Sequence, residues 1–164
     1  MKTNSNKFGT YVNIGNNYNS MIDEYRRNKI LYSSKKFKID SDELFLILEN
    51  VIKKTFKIKR DLEEGLRFKF KQENITLDYE FEKCDSVEKE IIITWKINND
   101  QYWLHFKIKN GRSKSKINYK QIIFRDKTFF GFQDTVGLFY YKMSFNKNVK
   151  QFNKSIVHLK NNPE

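Results

Sequence analysis

Five short runs of alternating apolar and polar residues lie between Leu66 and Phe124, and each is closed by a turn signal. The clearest runs are residues 75–82 and 102–109, in which apolar side chains alternate with mostly charged or polar ones. Such a period of two places one face of a strand on a core and the other face in water. The breaks between the runs are short enough to join antiparallel neighbours. The block therefore predicts a five-stranded antiparallel meander.

The breaks between the runs carry residues that favour turns. Asn110-Gly111 is the strongest of these signals, because both residues tolerate the positive φ that a tight hairpin needs. The other breaks fall at residues 72–74, 84–87 and 98–100, and the second of these places Cys84 in a turn.

An amphipathic helical segment precedes the meander. A side-chain oxygen of Asp40 or Ser41 can accept hydrogen bonds from the first free backbone amides of a helix, so this pair is a capping signal. The apolar residues that follow fall on one stripe at helical spacing: Leu44, Ile47, Leu48, Val51 and Ile52. Residues 30–39, before this helix, are the candidate for one further strand.

A second and longer helix is predicted at residues 134–159, after the meander. The segment lacks proline and places apolar residues among lysines, although the stripe is imperfect at residues 144–148, where a break is an alternative. The apolar residues of the stripe are Val136, Phe139, Tyr140, Met143, Val149, Phe152, Ile156 and Leu159. The predicted order is therefore strand, helix, five strands and long helix.

Charge is the most prominent feature of the composition, with a formal net charge of +12 over 164 residues. The chain has no alanine and one proline, and it is rich in Lys, Asn, Ile, Phe and Tyr, as expected when an AT-rich genome biases codon choice. The lysines are spread over both helices and the polar strand faces, which is typical of a solvated surface. What remains is a general preference for anionic surfaces.

The length suits one domain, with a core that needs neither a metal nor a disulfide. The single cysteine excludes an internal disulfide, and no apolar run reaches the roughly 18 residues of a membrane span. Residues 1–6 are too polar for a secretory signal, so we predict a cytoplasmic protein. We divide the chain into a polar N-terminal tail or loosely packed segment at residues 1–29, a domain at 30–160 and a tail at 161–164. The alternative for the first part is a short helix at residues 18–27 that packs on the domain.

No motif in the sequence specifies a reaction. The chain lacks a phosphate-binding glycine loop, a paired-histidine zinc motif, a pair of closely spaced cysteines and a nucleophile elbow. His105 lies on the polar register of its strand and far from His158, which is typical of a surface residue, and Cys84 has no neighbouring histidine. The acidic residues of 78–82 are typical of solvated charges that pair with lysines across strands. We predict no catalytic residue, no metal site and no cofactor, which favours a protein that is not an enzyme.

The inward-facing register holds the best candidate for a site. If the apolar residues of 75–81 face the long helix, those of the neighbouring strands join them, with Gln121 as the one amide. Buried Tyr, Trp and Gln groups need polar partners from the protein, from water or from a ligand. Either they satisfy one another in a solid core, or they line a hydrophobic cavity with a few orienting polar groups. The candidate ligand-binding residues are Phe68, Phe70, Tyr79, Trp95, Leu104, Phe106, Tyr119 and Gln121.

Several motifs carry a resemblance to known proteins. They are the helix start Ser41-Asp-Glu-Leu-Phe, then Gly65-Leu-Arg-Phe-Lys-Phe, Tyr79-Glu-Phe-Glu with Ile93-Thr-Trp-Lys, Ile117-Asn-Tyr119, and Gly131-Phe with Gly137-Leu-Phe-Tyr. With the order of elements, they make the chain similar to the helix-grip superfamily (SRPBCC) of START, polyketide-cyclase and lipid- or hormone-binding proteins. More narrowly, residues 31–160 resemble a family from low-GC Gram-positive bacteria and their wall-less relatives. The superfamily usually has seven strands and a small second helix, whereas this chain offers six strands and only residues 60–64 for that helix.

The resemblance implies an α+β fold, in which a meander of about six strands curves around the long C-terminal helix and an apolar pocket lies between them. The superfamily includes carriers, receptors, chaperone activators and a few cyclases, so the fold alone does not choose a function. The first hypothesis is a non-enzymatic binding module for a hydrophobic or amphipathic small molecule. The second is a binder of nucleic acid or of an anionic lipid surface. The third is a cyclase- or hydrolase-like enzyme, which would need an acid or base in the pocket, and a protein-interaction domain stays open as a further alternative. The second would use the basic residues of the long helix, which are Lys142, Lys147, Lys150, Lys154 and Lys160.

Overall fold

The computed structural model describes residues 4–6, 9–11, 28–72, 74–111, 113–125 and 131–163. The strands are β1 (Asn4–Asn6), β2 (Gly9–Tyr11), β3 (Asn28–Phe37), β4 (Arg67–Gln72), β5 (Ile75–Asp85), β6 (Glu90–Ile97), β7 (Asp100–Lys109) and β8 (Ser115–Phe124), and the helices are α1 (Ser41–Phe56) and α2 (Gly131–Asn161). β1 and β2 form an antiparallel pair of their own. The alternative helix at residues 18–27 lies outside the described residues.

A six-stranded antiparallel sheet with the order β3-β8-β7-β6-β5-β4 forms the body of the fold. The predicted meander of β4 to β8 is confirmed, and the additional strand pairs with β8 from Asn28 onward rather than from residue 30. In β5 the register shifts between Phe81 and Lys83, which leaves Glu82 as an extra residue opposite β6. Such a bulge bends the strand and increases its twist.

Asp40 caps α1, as its sequence predicts. One carboxylate oxygen accepts hydrogen bonds from the backbone N–H groups of Asp42 and Glu43, at 2.9 and 3.0 Å. At the other end Lys57 adopts a left-handed conformation, with a φ of 57°, and its N–H donates to the carbonyls of the last turn. The predicted stripe faces the sheet: Leu44, Leu48, Val51 and Ile52 are buried, together with Phe45, and Ile47 is half-buried.

α2 is one continuous helix of 31 residues, so the alternative of a break at residues 144–148 is not realised. Among the helix residues whose side chains are described, the buried ones are Phe145, Val149, Phe152 and Ile156, which lie one or two turns apart on one face. The prediction for the first half of the stripe was wrong, because this face continues back to Tyr141 and leaves other apolar residues in solvent. Those exposed residues are Phe139, Tyr140 and Met143, and the side chain of Val136 lies outside the described part.

Two turns differ from their predictions. β5 continues to Asp85, so Cys84 lies in a strand and the turn is formed by residues 86–89. The connection at Asn110-Gly111 extends to Lys114, and neither Asn110 nor Gly111 has a positive φ. Glycine is needed there for a different reason, because a Cβ on Gly111 would lie 2.5 Å from the carbonyl oxygen of Lys114.

The connection between α1 and β4 contains no helix at residues 60–64. Gly65 instead takes a φ of 83° and donates its N–H to the carbonyl of Phe81 at 2.7 Å. The backbone of Leu66 then accepts from Phe81 at 2.9 Å, which starts the pairing of β4 with β5. Ile75, predicted to face inward, is 56% exposed because it lies at the free end of its strand.

Replacing Asp40 with alanine removes both hydrogen bonds to the start of α1. We expect the free energy of unfolding in urea denaturation to fall by about 1 kcal/mol. Asp40→Ser is the matched control, because serine can accept the same bonds and should recover most of the loss. An equal loss in both variants would show that the cap does not stabilise this helix.

Candidate functional site

A cavity of about 330 Å³ lies between the inner face of the sheet, the end of α1 and the middle of α2. This volume is at the lower end of the range of roughly 300–1,000 Å³ that is common for small-molecule sites. Its described lining consists of Thr55, Phe56, Phe70, Leu77, Tyr79, Trp95, Ile97, Tyr102, Leu104, Phe106, Tyr119, Gln121, Tyr141, Ser144, Phe145, Asn148, Val149, Gln151, Phe152 and Ser155.

The structure brings most of the predicted ligand-binding residues together at this cavity. The residues that line it are Phe70, Tyr79, Trp95, Leu104, Phe106, Tyr119 and Gln121. Phe68 does not line it, because its ring packs between Phe56 and Tyr79, with centroids 5.2 Å from each. Sequence reasoning missed Tyr102, although its alternation with Leu104 and Phe106 was a usable signal.

Tyr141 and the polar residues of α2 were also missed. Ser144, Asn148 and Gln151 line the cavity from the helix, and the first two lie at the ends of residues 144–148, where the apolar stripe was read as imperfect. The interruption of the stripe was therefore the available signal. It marks the place where the helix faces a cavity instead of close-packed side chains.

Aromatic rings form a continuous row across the inner face of the sheet and along one side of the cavity. Phe68, Tyr79, Trp95 and Tyr102 are successive cross-strand partners on β4, β5, β6 and β7. Their neighbouring ring centroids are 5.2, 5.3 and 5.4 Å apart, and Tyr141 of α2 continues the row at 6.4 Å from Tyr102. Direct cross-strand neighbours on one face are close enough for such ring contacts, and each pair adds to the stability of the sheet.

A few polar groups interrupt this apolar wall. The hydroxyl of Tyr119 donates a hydrogen bond of 2.6 Å to Oδ1 of Asn153 on α2. Gln121 lies beside Leu104 in the strand register, and its amide makes no hydrogen bond within the described part of the chain. That amide can therefore offer both a donor and an acceptor to a bound molecule.

The described part of the cavity lining is electrically neutral. Among the described residues it contains no Asp, Glu, Lys, Arg, His or Cys, so tyrosine is its one titratable type. Burial raises the pKa of Tyr79 to about 12, and burial also raises the pKa of Tyr119. The pKa of Tyr102 is raised by burial and by a hydrogen bond with Tyr141. All three phenols are therefore protonated near neutral pH.

Cys84 lies on the inner face of β5, with its Sγ 3.9 Å from Oε1 of Glu49 on α1. Burial, with the nearby Glu49 carboxylate, raises the pKa of the Cys84 thiol to about 11. Burial also raises the pKa of Glu49. The thiol is thus held in its unreactive protonated form.

The outer face of the sheet carries a network of charged groups rather than the isolated surface histidine that the sequence predicted. The side chain of His105 is 13% exposed, and its Nε2 lies 2.7 Å from Oε1 of Glu90. Glu90 also contacts Nζ of Lys83 on the neighbouring strand. Burial lowers the pKa of His105, because the charged imidazolium loses hydration there. The nearby Glu90 carboxylate opposes this shift but is the smaller effect. The surface assignment was wrong because cross-strand neighbours cover the ring.

The remaining acidic residues of β5 differ in their partners. Asp78 lies 3.8 Å from Lys69, as predicted, whereas Glu80 pairs with Arg67 at 3.0 Å rather than with a lysine. Glu82 accepts a hydrogen bond of 2.9 Å from Nε1 of Trp103. Trp103 belongs to a second apolar cluster, on the outer face, with Ile92 and Ile122. The alternating pattern predicted polar contacts on the outer face of the sheet, so it did not predict this apolar cluster.

The five predicted basic residues of α2 are all exposed, but they do not form one surface. Lys147, Lys150 and Lys154 follow one another at helical spacing on the face opposite the buried stripe. Lys142 and Lys160 lie on the flank, and Nζ of Lys160 donates to the carbonyl of Lys38 at 3.4 Å.

Several solved structures share this architecture. Protein MLL2253 from Mesorhizobium loti matches with a TM-score of 0.60 and 13% identity, over 83% of this chain and 99% of that chain. Ara h 8.0201 matches with a TM-score of 0.56 and 10% identity, over 79% and 94%. CalU16 from Micromonospora echinospora matches with a TM-score of 0.56 and 10% identity, over 79% and 76%.

The chain has the helix-grip fold. At these identities the likeness concerns the fold alone. No protein-family model and no curated protein sequence matches the chain, so the narrower likeness to a family of low-GC Gram-positive bacteria has no support.

Within the described ranges, no group of three or more His, Cys, Asp and Glu side chains is placed to hold a metal ion. In the same part of the chain, neither α1 nor α2 combines the length and apolar character that crossing a membrane requires.

Because the pKa of His105 is lowered in the folded state, the unfolded chain binds the proton more readily. The free energy of unfolding should therefore fall as pH drops below about 6.5, by up to about 1.4 kcal/mol per pH unit. We expect His105→Gln to lose less stability than the parent between neutral and mildly acidic pH in urea titrations. His158→Gln, at the exposed histidine, is the control, and a parallel decline in the parent and the His105 variant would refute the assignment.

Proposed function

We propose that this protein is a non-enzymatic binding module for a neutral, hydrophobic or amphipathic small molecule, held in the cavity between the sheet and α2. The observation that carries the proposal is an aromatic cavity without a charged lining residue among those described. The helix-grip fold supports it, because the fold allows a pocket between a curved sheet and its long helix. The proposed contacts are Phe70, Tyr79, Trp95, Leu104, Phe106, Tyr119 and Gln121. Phe68 stacks on the ring of Tyr79 and does not line the cavity.

The geometry favours a flat, unsaturated ligand over a flexible chain. The rings of Trp95 and Tyr102 stack at an interplanar angle of 10°, with centroids 5.4 Å apart. Trp95 remains half-buried, and Tyr79 and Tyr102 flank its ring on the two sides, so the exposed edge of the ring is available for a further aromatic contact. Edge-to-face contacts of this kind add about 0.5–1.5 kcal/mol beyond the burial of area.

The polar groups determine which end of the ligand lies deepest. Gln121 can both donate to and accept from a carbonyl or hydroxyl group, while Tyr119 is already bonded to Asn153. Asn148, Gln151 and Ser144 face the cavity from the exposed side of α2 and can meet a more hydrated end. An amphipathic molecule with one buried polar group fits this arrangement.

Charged ligands are excluded on energetic grounds, because the described lining offers them no charged partner. An ion moved from water into a site without a charged partner loses several kcal/mol of hydration energy. A free fatty acid or a phosphorylated metabolite would leave its anionic group unpaired among the described lining residues. The protonated tyrosines also argue against proton abstraction, because they cannot act as bases near neutral pH.

Two fluorescent probes with a common scaffold test the charge preference. N-phenyl-1-naphthylamine is neutral, and 8-anilino-1-naphthalenesulfonate carries a sulfonate on a similar ring system. We expect the neutral probe to bind at least tenfold more tightly, even though the net charge of +12 favours the anion at long range. Tighter binding of the sulfonate that weakens with salt would show surface adsorption and contradict a neutral cavity.

A substitution that fills the cavity tests its location. Asn148→Phe should weaken binding of N-phenyl-1-naphthylamine at least tenfold in fluorescence titrations, because the new ring occupies the cavity. Asn146→Phe is the matched control, since Asn146 is exposed on the same helix and does not line the cavity. At a free concentration of 100 times its dissociation constant, the probe should raise the free energy of unfolding of the control by about 2.7 kcal/mol. Equal affinity in both variants would place the binding site elsewhere.

A further inference from the structure

Three large apolar side chains stand exposed on the first half of α2. Phe139 is 60% exposed, Tyr140 is 65% exposed and Met143 is 53% exposed. They lie within little more than one turn, and the rings of Phe139 and Tyr140 are in edge-to-face contact at 6.2 Å. Single exposed apolar residues are ordinary, whereas a contiguous group marks a surface that binds something.

Three lysines lie on the same face of the helix as this apolar group. Lys147, Lys150 and Lys154 lie one turn apart, beyond Met143 and opposite the buried stripe. From residue 139 to residue 161 the helix has no aspartate or glutamate to offset them. α1 differs, since its acidic residues Asp42, Glu43 and Glu49 offset its lysines, Lys53 and Lys54. The outward face of α2 therefore combines an aromatic end with an uncompensated positive end.

We infer that this face of α2 docks on the surface of an anionic lipid bilayer. Phe139, Tyr140 and Met143 would enter the headgroup region, where aromatic and other apolar side chains gain by burial. The three lysines would lie against the lipid phosphates. The charge is complementary to an anionic surface, and the apolar group separates this partner from a duplex nucleic acid, which would neutralise the lysines and leave the aromatic end in water.

The docked orientation brings the cavity close to the bilayer. Ser144, which lines the cavity and is itself exposed, lies one turn after Tyr140 on the same flank of the helix, so the edge of the cavity is next to the docking face. A hydrophobic molecule could then pass between the membrane and the cavity without crossing much water. The docking itself goes beyond the proposed binding function and does not require the cavity to be filled.

Vesicle co-sedimentation of the whole chain tests the inference. The probes are phosphatidylcholine vesicles with and without phosphatidylglycerol, at low and high salt. We expect binding to the anionic vesicles that weakens with salt. Each lysine near such a surface contributes about a fivefold factor, so Lys147→Gln/Lys150→Gln/Lys154→Gln should lose on the order of a hundredfold in affinity. Phe139→Ser/Tyr140→Ser/Met143→Ser should lose at least tenfold at unchanged charge.

The matched control removes the same charge elsewhere. Lys36, Lys109 and Lys114 are exposed around the β7–β8 connection and line a separate surface cleft. Their triple glutamine variant should retain most of the vesicle binding, and circular dichroism should show all variants folded, since the substituted side chains are exposed. An equal loss in this control, absence of binding at low salt, or a Phe139/Tyr140/Met143 variant that binds like the parent would overturn the inference. Stronger binding to single-stranded RNA than to the anionic vesicles would overturn it as well.

Discussion

The row of aromatic rings across β4 to β7 is the constraint around which the fold is arranged. Phe68, Tyr79, Trp95 and Tyr102 are direct cross-strand partners, so the strand register alone puts them side by side. On β7, α2 packs directly on the inner face of the sheet, where Phe152 meets Phe106 at 5.3 Å.

Two kinds of side chain on α2 explain why the interior is both solid and open. Phe145, Phe152 and Ile156 belong to the core, together with the stripe of α1. Ser144, Asn148 and Gln151 also line the cavity, but they are short or polar and do not fill the volume. The chain also has no alanine, so small gaps between large rings have no small side chain to close them. A cavity beside a well-packed core follows from this distribution.

Both faces of the sheet are stabilised, but by different interactions. The outer face carries the apolar cluster of Ile92, Trp103 and Ile122 next to the contacts of Glu90 with Lys83 and His105. The partly buried charges of Glu90 and Lys83 are stable because they pair with each other, whereas burial favours the neutral form of His105. Phe139, Tyr140 and Met143 on α2 instead remain exposed to solvent, which is why we infer that they belong to a binding surface.

Local patterning was sufficient for the order of elements. A period of two in 75–82 and 102–109, and a period of 3.6 after the Asp40 cap, depend on the faces of single strands and helices, which neighbours along the chain already define. The same periodicity brought seven of the candidate residues to one cavity wall, because residues in register on adjacent strands share a face. Where two faces of one helix both carry apolar side chains, as in the first half of α2, the pattern does not indicate which is buried. That choice depends on contacts with distant strands.

The sequence by itself determined the strand–helix–meander–helix order, the α1 cap and the aromatic character of the inner face, because these depend on residues close together in the chain. Only the tertiary structure decided that Phe145 rather than Met143 faces the core, that His105 is covered, and that space remains over Trp95. These outcomes depend on how far one helix stands from a sheet. That distance depends on how the side chains of several elements pack together, and no local sequence pattern predicts it.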